Sequence, residues 1–311
     1  MRLVSVRFFN KTPEGIVCPH FWILNWARGC PYDCSYCYLA LTHRFQGNTP
    51  HFHRWPQIEK AINQFFKTHP EPALLNTGEL ADSLMNPAIM EKICDKFETQ
   101  TMHKVLLLSK GCFWPKRESL NPTEGTSIDF LRAKRYKQTI VSFSVNAHEF
   151  AELYEKSAPT IYDRTLAAYT LGNFGYEVRL RIDPIIPLKP SNVTDYSWKT
   201  AYRDHIRFIL WIMHVNPTRI TLGTPRWFPT LPYWLKRAGR KDDFFKNFEK
   251  TRELCCDGRY RLKNRIEVYA HLMRTLGKYG YKGPMAICKE TFDVWNQLGM
   301  SSEAIRCNCL L

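Results

Sequence analysis

Cys30-Pro31-Tyr32-Asp33-Cys34-Ser35-Tyr36-Cys37-Tyr38 carries three cysteines in a C-x3-C-x2-C spacing within eight residues. The apolar run Phe21-Trp22-Ile23-Leu24-Asn25-Trp26 before it reads as a strand, which Gly29 and Pro31 break into a loop. Thiolates at i, i+4 and i+7 of a loop can point at one small object and leave its fourth position open. A structural zinc site closes all four positions. An iron–sulfur cluster on three thiolates offers its remaining iron to an outside ligand. A zinc knuckle is the plainer alternative.

Around this loop the chain alternates between buried strands and helices. Trp55 to Lys67 carries Ile58, Ala61, Ile62, Phe65 and Phe66 at helical spacing. Pro72 to Thr77 reads as a short strand ending in Thr77-Gly78-Glu79, and Pro87 to Phe97 as a helix. Further strands fall at Lys104–Lys110, Thr139–Asn146, Glu177–Asp183 and Arg219–Thr224, with helices around Thr165–Leu171 and Trp198–Met213. Six strands interleaved with helices imply parallel βαβ units. A first strand at Leu3–Phe8 lies in an irregular arm.

Lys110 stands at a strand's C-terminal end, where barrel enzymes keep their chemistry. Arg179, Arg181 and Asp183 alternate with apolar residues, so one face of that strand is polar. A barrel interior tolerates such a face when something is bound there, or when the charges pair with each other. Pro225 to Trp234 reads as an aromatic, proline-stiffened loop followed by Lys236, Arg237, Arg240 and Lys241. Such interleaving can stack on bases and neutralise phosphates, or simply pack a helix. Helices are expected at Asp242–Leu254, Lys263–Leu276 and Phe292–Gly299.

The chain has 311 residues, 44% hydrophobic, and a formal charge of +15. That length suits one large or two small domains, and the charge favours a polyanionic partner such as nucleic acid. No apolar run approaches the roughly 20 residues of a membrane span, and the first residues lack a secretory pattern. Eleven cysteines, an odd count with three in one loop, suit a reducing cytoplasm with metal-bound thiols. Cys288, Cys307 and Cys309 crowd the end of the chain. They are candidates for an auxiliary metal or iron–sulfur site, for a hydrogen-donating thiol at Cys309, or for neither. Cys18 reads as a buried cysteine.

The cysteine loop resembles that of the radical S-adenosylmethionine (SAM) enzymes. The resemblance implies an α/β fold, a partial (β/α)6 barrel with a C-terminal helical, cysteine-containing extension. The expected division is an arm at 1–20, the barrel at 21–228 and, at 229–311, an extension covering the barrel mouth. It implies that Cys30, Cys34 and Cys37 hold a [4Fe-4S] cluster whose open iron chelates SAM. Tyr36 then touches adenine, and Thr77, Gly78 and Glu79 hold the SAM amino group. Lys110, Ser144 and Arg181 join the cofactor site.

The similarity is nearer to spore photoproduct lyase and its relatives, which act on a thymine lesion in DNA. Gly29–Leu39, Leu108-Ser109-Lys110, Phe143-Ser144-Val145-Asn146 and Gly258-Arg259-Tyr260 carry it. Those enzymes have a hydrogen-returning cysteine after their second strand, whereas Leu75 to Asp82 here has none. A hydrogen donor, if one is used, is then Tyr36, Tyr38 or Cys309. The resemblance implies a lyase or isomerase acting on a thymine-derived base in DNA by cleavage or rearrangement. Arg226, Trp227, Arg259 and Arg261 are the candidate DNA contacts, flavodoxin or ferredoxin the electron donor, and a monomer the working unit. Two alternatives stand: a radical SAM enzyme acting on a peptide or small molecule, and a zinc-containing nucleic-acid-binding protein.

Overall fold

The computed structural model describes residues 5–43, 49–112, 127–187, 197–226, 228–240, 244 and 262–311. Eight strands form one sheet in chain order: β1 (Ser5–Phe9), β2 (Phe21–Asn25), β3 (Leu74–Asn76), β4 (Lys104–Ser109), β5 (Thr139–Ser144), β6 (Glu177–Ile182), β7 (Arg219–Leu222) and β8 (Met285–Ile287). β1 runs antiparallel to β2, and every later pair is parallel. The six expected strands are all present. The parallel set has a seventh member, β8, from the C-terminal segment, which is therefore more than a helical appendage. At three residues, directly after Gly283-Pro284, β8 is too short to show a strand period.

The longer helices that clothe the sheet carry apolar residues on their inner face and a start signal. Trp55–Thr68 has Pro56 in its first turn and buries Ile58, Ile62 and Phe65, spaced i, i+4 and i+7. Pro87–Phe97 is capped by Asn86, whose side chain accepts from the Ile89 N–H at 3.1 Å. Ile161–Asn173 starts with a Thr160/Asp163 capping box. Trp198–Arg207 continues into a π-turn at Phe208–Ile212. Leu231–Arg237 is helical where the sequence reads as loop: Pro232 lies in the first turn, where proline starts a helix rather than stopping it. No helix among the described residues is long and apolar enough to cross a membrane.

The polar face of β6 is explained by the chain's own C-terminal tail. Asn308, fully buried, donates from Nδ2 to Ser142 Oγ at 2.9 Å on β5 and to the Leu180 carbonyl at 2.8 Å on β6. Its Oδ1 accepts from Thr221 Oγ1 on β7 at 2.9 Å. Arg179 donates to the carbonyls of Asn308 and Leu310, and Arg219 to that of Leu310 at 3.0 Å. The tail is thus fixed across three neighbouring strands.

Candidate active site

The cysteine loop leaves β2 through Gly29, which has a positive φ of 82°. A methyl there would lie 2.9 Å from the Thr49 carbonyl, so only glycine fits the turn. The loop is then held on two sides. Gly29 N–H donates to the Leu80 carbonyl at 3.1 Å, and Ser35 N–H to the Tyr154 carbonyl at 2.9 Å. Arg240, itself buried, reaches Asp33 at 3.4 Å from the segment after Leu231–Arg237.

Cys34 is buried, and Cys30 and Cys37 are half-buried. Burial pushes the Cys34 thiol up to about 12, and burial followed by Asp82, Cys37 and Cys34 raises Cys30. Sheltered thiols gathered in one loop have a ready use. A cationic metal cluster would displace their protons and neutralise the thiolates. Among the described residues, no three His, Cys, Asp or Glu side chains converge closely enough for a single metal ion.

Beside the loop lies a network assembled from distant parts of the chain. The buried Glu155 carboxylate accepts from the Tyr36 hydroxyl and from Arg164 Nη1 at 2.5 Å. Lys110 Nζ is 3.7 Å from Glu155 and donates to Ser144 Oγ at 2.7 Å. Burial opposes ionisation of Glu155, but Lys110, Arg164 and the two hydrogen bonds hold its carboxyl at about 2. The network locks the Tyr36 ring, with Lys110 Nζ 5.7 Å from its centroid and Phe244 at 5.4 Å. Asp82 orients the lysine: its carboxylate accepts from Lys110 N–H at 2.7 Å, Leu84 N–H at 2.9 Å and Ser109 Oγ at 2.5 Å.

The structure thus brings Tyr36, Lys110 and Ser144 together, with Glu155, Arg164 and Asp82, which sequence reasoning missed. No local motif marks Glu155, because its partners lie far away in sequence. Tyr38 is exposed, and its hydroxyl donates to the Glu79 carbonyl at 2.6 Å. Thr77, expected at the cofactor, turns its hydroxyl inward to the Leu106 carbonyl at 2.9 Å and Ser83 Oγ at 2.8 Å. That hydroxyl is thereby occupied within the fold. Gly78 has a packing reason, since a methyl there would meet the Leu108 carbonyl at 2.5 Å.

Arg181 pairs in register with Ser144 on the adjacent strand. Its guanidinium nevertheless donates to Cys309 Sγ at 3.4 Å and lies 3.8 Å from Asp183. Arg226, expected on DNA, faces inward: it is 3.4 Å from Asp183 and 3.9 Å from Cys288 Sγ. Gly223 makes room for this pair, since a methyl there would come within 2.4 Å of the Asp183 carboxylate. Cys307 and Cys309 share a sulfur–sulfur hydrogen bond. That bond, with Arg181 assisting and burial opposing, draws the Cys309 thiol down to about 6. Trp227, Arg259 and Arg261 lie outside the described residues, as do Gly258, Tyr260 and the helix expected at 242–254.

No protein-family model matches the chain, and no curated protein matches it by sequence. Solved structures do match in fold. Spore photoproduct lyase complexed with dinucleoside spore photoproduct aligns with a TM-score of 0.64 at 16% identity, covering 91% of this chain and 79% of that one. A variant of that lyase with bound AdoMet and dinucleoside spore photoproduct aligns with a TM-score of 0.62 at 16% identity, covering 90% and 78%. SuiB from Streptococcus suis aligns with a TM-score of 0.52 at 11% identity, covering 90% of this chain and 52% of that one. The chain shares its α/β fold, a mostly parallel eight-stranded sheet, with spore photoproduct lyase.

Proposed function

We propose that the protein is a radical SAM enzyme acting on a thymine-derived base in DNA. The observation that carries this reading is the position of the Cys30/Cys34/Cys37 loop. It lies beside the Tyr36–Glu155–Lys110 network at the C-terminal ends of the parallel strands, in a fold shared with spore photoproduct lyase. Cys30, Cys34 and Cys37 would hold a [4Fe-4S] cluster. When bound, that cluster supplies the electron that splits SAM into methionine and a 5′-deoxyadenosyl radical, with flavodoxin or ferredoxin as the source.

The protein's own part is to bind, orient and exclude water. Tyr36, held flat by Glu155, offers a ring face to adenine. Lys110 offers a point charge to the SAM carboxylate, and Ser144 fixes that lysine's position. Glu79 receives the SAM amino group. Tyr38, exposed beside Glu79, would relay a hydrogen atom, a role its surface position supports. The segment after residue 228 covers the mouth, through Arg240 on Asp33 and Phe244 on Tyr36 and Tyr154. The net charge of +15 supports a DNA partner.

A peptide substrate is the second reading, favoured by the similarity of fold to SuiB bound to its precursor peptide SuiA, at a TM-score of 0.51. Anaerobic reconstitution followed by incubation with SAM and oligonucleotides carrying deuterated thymine decides between them. Deuterium in 5′-deoxyadenosine is the expected result. Uncoupled SAM cleavage without deuterium transfer, and no salt-sensitive DNA binding, would reject DNA as the substrate.

A further inference from the structure

The rim beside the cysteine loop carries a short helix with two unlike faces. Leaving β7, the chain runs through Arg226 into Leu231–Arg237, which packs against the helix Leu39–Thr42 just after Cys37. Leu231 and Leu235, spaced i and i+4, are fully buried and lock the inner face. Arg240 then ties the end of the segment to Asp33 inside the cysteine loop, at 3.4 Å. The outer face is therefore held in a fixed place beside the candidate active site.

That outer face is aromatic and cationic. Tyr233 is 58% exposed, and Phe228, in the turn that enters the helix, 44%. Lone exposed rings are ordinary on protein surfaces, but these are organised. Arg237, one turn on, donates to the Tyr233 hydroxyl at 3.2 Å and holds its guanidinium 5.8 Å from the Trp234 ring centroid. Trp234 in turn meets Tyr233 edge-on, with centroids 5.0 Å apart and planes at 82°. Two neighbours thus set the orientation of Tyr233 while its ring stays open to solvent. Pro225 to Lys241 contains five cations, Arg226, Lys236, Arg237, Arg240 and Lys241, and no acid. Arg226 and Arg240 are drawn inward to Asp183 and Asp33, whereas Lys236 and Arg237 are exposed. Covering the cysteine loop requires the two leucines. It does not require a restrained surface tyrosine with cations beside it.

We propose that this face receives an unpaired nucleic-acid strand, with Tyr233 and Phe228 stacking on bases and Lys236 and Arg237 meeting phosphates. The inference rests on the reading of the protein as a DNA-acting enzyme, and adds where the strand lies and in what form. Base faces are open only where pairing and stacking have been undone, so a stacking platform selects unpaired over duplex nucleic acid. Its recognition is tolerant of sequence, because every base has a π-face. A strand anchored on the rim keeps its backbone outside while one base turns inward to the reacting centre.

Fluorescence anisotropy of labelled thymine-rich oligonucleotides, single-stranded and duplex, tests this on the anaerobically reconstituted protein. The wild type should prefer the single strand. Tyr233→Ala should weaken that binding about tenfold, the worth of one stacked base, while Tyr233→Phe retains it. Lys236→Ala/Arg237→Ala should flatten the slope of log affinity against log salt by about 1.4, as expected for two phosphates of a single strand. Urea unfolding midpoints should match the wild type, since these side chains are exposed, which separates a lost contact from a lost fold. Wild-type affinity in both Tyr233→Ala and the double variant overturns this surface and leaves the DNA reading standing. Equal losses in Tyr233→Ala and Tyr233→Phe overturn it as well, because stacking survives the second change. A wild type that binds neither oligonucleotide overturns the surface and the DNA reading together.

Discussion

Replacing Glu155 with glutamine removes one negative charge and almost no volume. In the folded protein this carboxylate accepts from Tyr36 and Arg164 and lies 3.7 Å from Lys110, out of contact with water. Two routes give the magnitude. Removing one partner from a buried ion pair costs about 3–5 kcal/mol, because the remaining charge stays buried. Independently, holding the carboxyl at about 2 against an ordinary 4.5 corresponds to about 3 kcal/mol of stability at neutral pH. The folded value is the lower one, so this stabilisation is complete above pH 4.5 and is lost as the pH falls towards 2. At pH 3 less than half of it remains. Urea unfolding of the cluster-free wild-type and Glu155→Gln proteins, at pH 7 and in steps down to pH 3, measures this. The variant should be less stable by about 3 kcal/mol at pH 7, and the gap should narrow on acidification. A gap below about 1 kcal/mol at pH 7, or one that does not change with pH, would refute a buried anionic anchor at Glu155.

Lys110→Met leaves Glu155 its Arg164 partner, so the fold should persist while SAM affinity falls about tenfold, the worth of one charge-assisted hydrogen bond; equilibrium dialysis with labelled SAM reads it. Asn308→Ala removes the side-chain bonds to Thr221, Ser142 and the Leu180 carbonyl inside the barrel, leaving only the backbone N–H of residue 308 on Thr221, and should destabilise the protein by about 2–4 kcal/mol in urea. Gly223→Ala sets a methyl against the Asp183 carboxylate and should lower the unfolding midpoint, at a cost of about 1–3 kcal/mol. An unchanged midpoint would mean that Asp183 moves aside freely.

The barrel strands were legible because parallel strands are buried on both faces and read as unbroken apolar runs. Val105-Leu106-Leu107 is such a run, and Thr139–Phe143, apolar at Ile140, Val141 and Phe143, is likewise buried along its length. Where that signal thins, the reading fails. β8 spans three residues, and Leu231–Arg237 hides behind prolines that read as loop until their place in the first turn is known. At the site, the cysteines announce themselves by spacing, and Lys110 and Ser144 by closing strands. Glu155 has no local signature: Tyr36 lies 119 residues before it, and only the fold makes them neighbours. Thr77 shows the opposite case. Its place beside Gly78-Glu79 suggests a ligand contact, but its hydroxyl is already taken by Leu106 and Ser83.

The tail changes what the polar face of β6 means. Arg179, Arg181 and Asp183 would be costly in an apolar barrel, and a bound substrate would be one remedy. Arg179 instead binds tail carbonyls, while Arg181 is directed to a tail thiol. The barrel's interior polarity is thus met partly from within the chain, and the space below the candidate site is closed by residues 307–310. A substrate must then approach from the mouth or the lateral edge and present one reactive group, rather than thread through the barrel. A base extruded from a nucleic acid strand meets that requirement, because it reaches inward while its backbone stays outside.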